Sequence, residues 1–179
     1  MTNNNMFFIA NWKMYGNTGD IVKTKSVIKL ANTKKYKKYK IVYCPPYTLL
    51  NSFYNKVRNS NVSIGAQNCH SNSNYGAFTG SINAKLIKST GAKYIIIGHS
   101  ENRINGETDF IINKKIHSAL KENLKIILCI GEKLSEKKKN MTYKILSKQL
   151  NNGLKGIKKF KNIIFAYEPV WSIGTGIVP

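Results

Sequence analysis

Short runs of β-branched and aromatic residues recur at Met6 to Ile9, Lys40 to Tyr43, Val62 to Gly65, Tyr94 to Ile97, Lys125 to Ile130 and Ile163 to Tyr167. Each is brief and almost continuously apolar, which predicts a buried strand. Between them lie longer stretches with apolar residues at steps of three and four. Ile111, Ile112, Ile116, Ala119 and Leu120 make the clearest such face, and Ile145, Leu146, Gln149, Leu150 and Leu154 the next, so both stretches predict amphipathic helices. Strand alternates with helix and no Pro-, Gly- or Ser-rich linker intervenes. That order favours parallel strands with right-handed helical crossovers, hence an α/β fold in a single domain over residues 1–179. Local punctuation agrees. Asn17-Thr18-Gly19-Asp20 offers a cap for the first helix, Thr108-Asp109 sets an acceptor and a negative charge at the start of another, and Pro45-Pro46 ends the second strand because proline cannot donate to a ladder. A doubly wound sheet and a barrel both satisfy this pattern, and both put chemistry at the carboxyl ends of the strands.

With 179 residues, 42% of them hydrophobic, the chain is long enough for one sizeable core. The 29 Lys and Arg against 8 Asp and Glu give a formal charge of +21, which raises nucleic acid as a partner. The lysines fall in short runs, such as Lys34-Lys35-Tyr36-Lys37-Lys38 and Lys137-Lys138-Lys139, between apolar segments, which predicts solvated surface and no nucleic-acid patch. The net field would still draw an anionic substrate inward. Cys44, Cys69 and Cys129 are far apart and lack CxxC spacing, so neither a disulfide framework nor a zinc site is expected. Met1 to Asn5 is polar and no span reaches the ~20 apolar residues of a membrane helix, so the expectation is a cytoplasmic protein with no membrane partner.

Titratable groups follow the strands. Asn11-Trp12-Lys13-Met14 comes after the first, Gly98-His99-Ser100-Glu101 after the fourth and Glu168-Pro169-Val170-Trp171 after the sixth. At corresponding ends of three parallel strands, Lys13, His99 and Glu168 would converge on one cleft as cation, imidazole and carboxylate. That trio suits proton abstraction beside a carbonyl: the carboxylate takes the proton while a donor and a cation stabilise the oxyanion, with no metal and no cofactor required. Ser172-Ile173-Gly174-Thr175-Gly176 then reads as a closing lid whose small residues expose backbone amides to a phosphate, with Pro169 stiffening its entry.

Several segments carry a family likeness: Asn11-Trp12-Lys13, Gly65-Ala66-Gln67-Asn68, Gly76-Ala77-Phe78-Thr79-Gly80, Ile97-Gly98-His99-Ser100-Glu101, Cys129-Ile130-Gly131-Glu132, and the long run from Ala166 to Gly176. In this order they resemble the triosephosphate isomerase family. The resemblance implies the first six βα units of an eight-unit TIM barrel that interconverts dihydroxyacetone phosphate and glyceraldehyde 3-phosphate in glycolysis and gluconeogenesis. It implies Glu168 as the base and His99 as the neutral electrophile. Lys13 would bind the anionic substrate, Asn11 would orient Lys13, and the Gly174 amide would meet the phosphate. Ser100 and Glu101 would support the site from behind. It further implies a homodimer when full length, with Thr79 in the long loop from Gln67 to Gly80 touching the partner near its active site.

Two departures from the family pattern stand out. The chain reads Ser100-Glu101-Asn102-Arg103 where an arginine commonly follows the glutamate, and it reaches Glu107 one residue early, which unsettles the pairing of Glu107. It also ends at Pro179, before strands seven and eight and the phosphate-binding amides expected beyond them. A catalytically inactive phosphate-binding or interaction module made of six βα units is the alternative reading.

Overall fold

The computed structural model describes residues 6–176, so the head Met1–Asn5 and the end at Pro179 lie outside the described residues. Six strands pair in parallel, each with its neighbour in sequence: β1 (Phe7–Asn11), β2 (Lys40–Cys44), β3 (Val62–Ala66), β4 (Tyr94–Ile97), β5 (Lys125–Ile130) and β6 (Ile163–Tyr167). They match the apolar runs to within two residues at either end. The register sets Phe7 against Lys40 at one edge and Leu128 against Phe165 near the other. Between strands run α1 (Lys25–Ala31), α2 (Leu50–Val57), α3 (Ala84–Ser89), α4 (Ser100–Ile104), α5 (Asp109–Lys121), α6 (Leu134–Lys138) and α7 (Thr142–Gly153).

Alternation along the strands separates two apolar clusters, because successive side chains of a strand point to opposite faces. Ile64, Ile95, Ile97, Ile126 and Leu128 pack outward against Leu50 and Phe53 of α2, Ile87 of α3 and Ile112, Ile116 and Ala119 of α5. The second cluster, Val42, Cys44, Tyr94, Ile96, Ile127 and Cys129, contains strand residues only. Helices therefore cover one face, whereas a doubly wound sheet carries them on both. The sheet also curls. Phe7 of β1 meets Tyr94 of β4 edge to face, with ring centroids 6.5 Å apart, although two strands separate them. This is the inside of an incomplete barrel.

The expectation that every run is a buried strand fails at the two ends. β1 and β6 are the sheet edges, and the outward residues Phe8, Phe165 and Tyr167 are about half exposed. The first cap also differs in what it starts. Asn17 accepts the Gly19 amide and Asp20 accepts the Asn17 amide, but the turn they begin is a 3-10 helix over Thr18–Thr24 that leads into α1. Thr108 caps α5 as expected, accepting from the Ile111 amide with Asp109 in the first turn. Among the described residues, no helix is long and apolar enough to cross a membrane.

Candidate active site

Of Lys13, His99 and Glu168, strand parity carries Glu168 inward, together with Asn11. Ile9 and Ala166 pack with the inner cluster, so Asn11 and Glu168, each two residues further on, continue on that side. His99 needs a turn first, because it follows the outward residue Ile97 with the same parity. Gly98 supplies the turn with φ +76°, a conformation that side chains resist. The structure thereby brings the three together: His99 Nε2 lies 3.5 Å from Glu168 Oε2, while Lys13 Nζ is 2.8 Å from Glu101 Oε1 and Glu101 Oε2 is 3.5 Å from His99 Nδ1. Asn11, Lys13, Gln67, His99 and Glu101 line a cavity of about 280 Å³.

The backbone of Lys13 is strained. Its φ of 52° is uncommon for a residue with a side chain. Asn11 Oδ1 accepts the Lys13 amide at 2.9 Å, and Gln67 Nε2 donates at 2.8 Å to both the Lys13 and the Cys44 carbonyls. The residue is thus gripped at both backbone polar groups. Gln67 stands in one of the quoted family segments, yet nothing in its residue type announced this brace. The Lys13 ammonium holds the Glu101 carboxyl below its ordinary range, with partial burial opposing and the nearby His99 and Lys13 charges adding to the effect.

His99 is buried and begins α4, where its Nδ1 accepts the Glu101 amide at 3.2 Å. With Nδ1 turned to the Glu101 backbone, Nε2 is the ring nitrogen that faces Glu168. Ser100 is buried behind it. Arg103 fixes the preceding turn by donating to the Gly98 carbonyl at 2.7 Å, to Asp109 at 2.7 Å and to the Cys129 carbonyl at 3.4 Å.

Glu168 sits where β6 presses on the end of β5. A Cβ on Gly131 would lie 1.9 Å from the Glu168 carbonyl oxygen, so no larger residue fits there without moving the strand end. The Glu168 amide donates to the Ile130 carbonyl at 2.8 Å, and both backbone polar groups of Gly131 are met by the Gln149 side chain. Glu168 Oε2 is buried with no hydrogen-bond partner among the described residues. The Cys129 thiol lies against this carboxylate; burial raises its pKa, and the Glu168 charge and hydrogen bond raise it further, so it stays a thiol.

Beyond Glu168 the chain enters the lid segment. Glu132, 1% exposed, accepts from Tyr167 Oη, Trp171 Nε1 and Thr142 Oγ1 at 3.1 to 3.2 Å. Burial pushes its pKa up, but the Trp171 donor, its own amide, Tyr167 and Thr142 together hold it below the ordinary value. The run Lys137-Lys138-Lys139 is exposed as expected, and within it Lys137 Nζ stands 3.4 Å from the centroid of the Trp171 ring. Gly174 is exposed with φ +71°, and nothing lies within 4 Å of the position its Cβ would take. The Gly174 position thus opens onto solvent.

The altered stretch after His99 leaves Glu107 well held. Its Oε1 pairs with Lys115 and accepts from Asn68 Nδ2 at 3.1 Å, and Lys115 also reaches Asn68 Oδ1 at 3.0 Å. A lysine on the buried face of α5 thus does the pairing that no arginine provides here. Thr79 is exposed, at the tip of a loop braced by its own side chains: His70 Nδ1 accepts the Asn72 amide, Asn72 Oδ1 the Asn74 amide, and the His70 and Phe78 rings stack at 4.6 Å.

A family model described as triosephosphate isomerase matches residues 6–179. Two bacterial proteins named triosephosphate isomerase illustrate the likeness. That of Ruthia magnifica subsp. Calyptogena magnifica is 43% identical over 171 residues, covering 94% of this chain and 68% of the relative. That of Alkaliphilus oremlandii is 40% identical over 174 residues, covering 93% and 67%. The crystal structure of triosephosphate isomerase from Bartonella henselae superposes with a TM-score of 0.85 at 35% identity, over 93% of this chain and 68% of that one.

Proposed function

The chain belongs to the triosephosphate isomerase family, and from that premise we propose that it interconverts dihydroxyacetone phosphate and glyceraldehyde 3-phosphate through an enediolate. The observation that carries the proposal is a buried carboxylate oxygen of Glu168 without a hydrogen-bond partner among the described residues, facing His99 Nε2 at 3.5 Å. Glu168 takes a proton from the carbon beside the substrate carbonyl. His99 polarises that carbonyl through Nε2–H and supplies a proton to the oxygen as the electrons move onto it. The same carboxyl group returns its proton to the neighbouring carbon while the hydroxyl on the first carbon gives its proton back to His99 Nε2 and becomes the new carbonyl, so aldose and ketose exchange with both side chains restored and no net change in atoms or electrons. Lys13, held in its strained backbone by Asn11 and Gln67, meets the substrate anion and the developing oxyanion. Glu101 keeps its ammonium aimed until substrate arrives. Closure of the lid carries the Gly174 amide to the phosphate and excludes water.

The chain spans about two thirds of its relatives, so activity is tested in a completed barrel, in which the remaining third of the Ruthia magnifica relative is joined to this sequence. There Lys13→Met is expected to lower kcat/KM by at least ~10²-fold, the scale of removing one oxyanion donor. A double Lys138→Met, Lys139→Met variant is expected to stay within twofold of the unsubstituted enzyme. A coupled assay measures both, and a larger loss in the distant pair would move the site elsewhere.

Partner and compartment follow the same reading. The exposed Thr79, Phe78 and Tyr75 of the braced loop, with exposed Met14 and Tyr15 beside the cleft, support pairing with a second copy. Cys44, Cys69 and Cys129 are all free and buried, which suits the cytoplasm.

A further inference from the structure

Trp171 is tied on two sides at the point where the chain leaves β6 for the lid. Its indole N–H is bonded to Glu132 at 3.1 Å, and the Lys137 ammonium stands over its ring at 3.4 Å. Three residues on, Gly174 is exposed, with nothing within 4 Å of the position its Cβ would take. We propose that Lys137 is a positioning residue of the lid: its ammonium on the Trp171 ring favours the arrangement in which the lid stands away from the cleft. The proposal rests on the isomerase reading for its kinetic consequence but not for its structural one.

The geometry gives Lys137 a fixed place from which to act. It lies in α6, a one-turn helix whose start is closed by Glu136, which accepts the Lys133 amide at 2.8 Å, and whose end is closed by the Met141 amide donating back to the Glu136 carbonyl. α6 also follows directly on the Gly131-Glu132 turn that packs under Glu168, so the cation and its ring are referenced to the same piece of backbone. A cation over an indole face is attracted by the ring quadrupole, and Trp is the best such partner. Lys138 and Lys139, adjacent in sequence, have no such ring contact in the structure and serve as matched controls for charge.

Loss of this contact releases the open lid. A ligand that binds only the closed form then pays less to close it, so its apparent dissociation constant falls in proportion to the closing-competent fraction. At an exposed site the expected change is about two- to fivefold. The test uses the completed barrel grown with 5-fluorotryptophan, in which the fluorine resonances of Trp12 and Trp171 are assigned by Trp12→Phe and Trp171→Phe. Lys137→Met should shift the Trp171 resonance and leave Trp12 in place, Lys137→Arg should restore it, and Lys138→Met and Lys139→Met should do neither. KM for glyceraldehyde 3-phosphate should fall about two- to fivefold in Lys137→Met alone. A Trp171 resonance that responds no more to Lys137→Met than to Lys138→Met overturns the contact. A shifted resonance with unchanged KM in an active enzyme overturns its hold on the lid. The fluorine signal needs no substrate, so an enzyme inactive on triose phosphates would refute the isomerase reading while leaving the contact to be judged separately.

Discussion

Glu168→Gln in the completed barrel is expected to lower kcat by ~10²- to 10⁴-fold, the range by which a positioned general base accelerates proton transfer. The substitution keeps the shape of the side chain and removes its basic oxygens. Everything around Glu168 in the structure is spent on placing those oxygens: Gly131 admits its backbone, the Ile130 carbonyl receives its amide, and the inner strand parity points it at His99. None of these supports depends on the negative charge. The variant should therefore fold as the parent does and bind a phosphate-bearing inhibitor within a few fold of it. Stopped or steady-state coupled assays read the loss, and circular dichroism reads the fold. A rate within tenfold of the parent would remove Glu168 from the role of base.

The second large effect concerns the 179 residues expressed by themselves, which are expected to self-associate and to show no isomerase turnover. Two features drive this. The edges β1 and β6 present unpaired backbone groups beside half-exposed Phe8, Phe165 and Tyr167, and such edges template pairing between chains. Next to β1, a groove of about 500 Å³ lined by Phe8, Ile9, Val27, Leu30, Tyr36 and Ile41 lies open. At ~25 cal/mol per Å², a few hundred Å² of apolar surface left in water is comparable with the ~5 to 15 kcal/mol by which a domain is ordinarily stable. Size-exclusion chromatography and a coupled assay decide the matter. A monodisperse, active 179-residue protein would show that six units make a self-sufficient enzyme, and the completed barrel should elute as a discrete species in either case.

Much of this was legible in the residues, for a physical reason. Strand formation here follows from local apolar runs, and all six were found within two residues of their observed ends. The trio Lys13, His99 and Glu168 was visible because charged groups directly after buried strands have few structural reasons to be there. What escaped was whatever depends on groups meeting from distant parts of the chain. Gln67 braces Lys13 across 54 positions, and Lys115 reaches Glu107 from the buried side of α5, where the apolar periodicity left no place for an ion. Glu132 stood only at the end of one quoted segment, and its three side-chain donors alone reveal a buried hub. Barrel and doubly wound sheet could not be separated by pattern, since the choice lies in the curl that joins Phe7 to Tyr94.

The strand order has a consequence for how the molecule is made. Because every strand after the first pairs with the one just before it in the chain, each new unit emerging from the ribosome finds its docking edge already built. Growth in this order needs no strand from later in the chain, although each parallel pair closes a long crossover, as from Phe7 to Lys40, and such pairing is slow. It also leaves the most recent strand bare at every stage, so the nascent protein carries a sticky flank throughout synthesis, and the time taken to translate the following unit sets how long a neighbour or a chaperone has to find it.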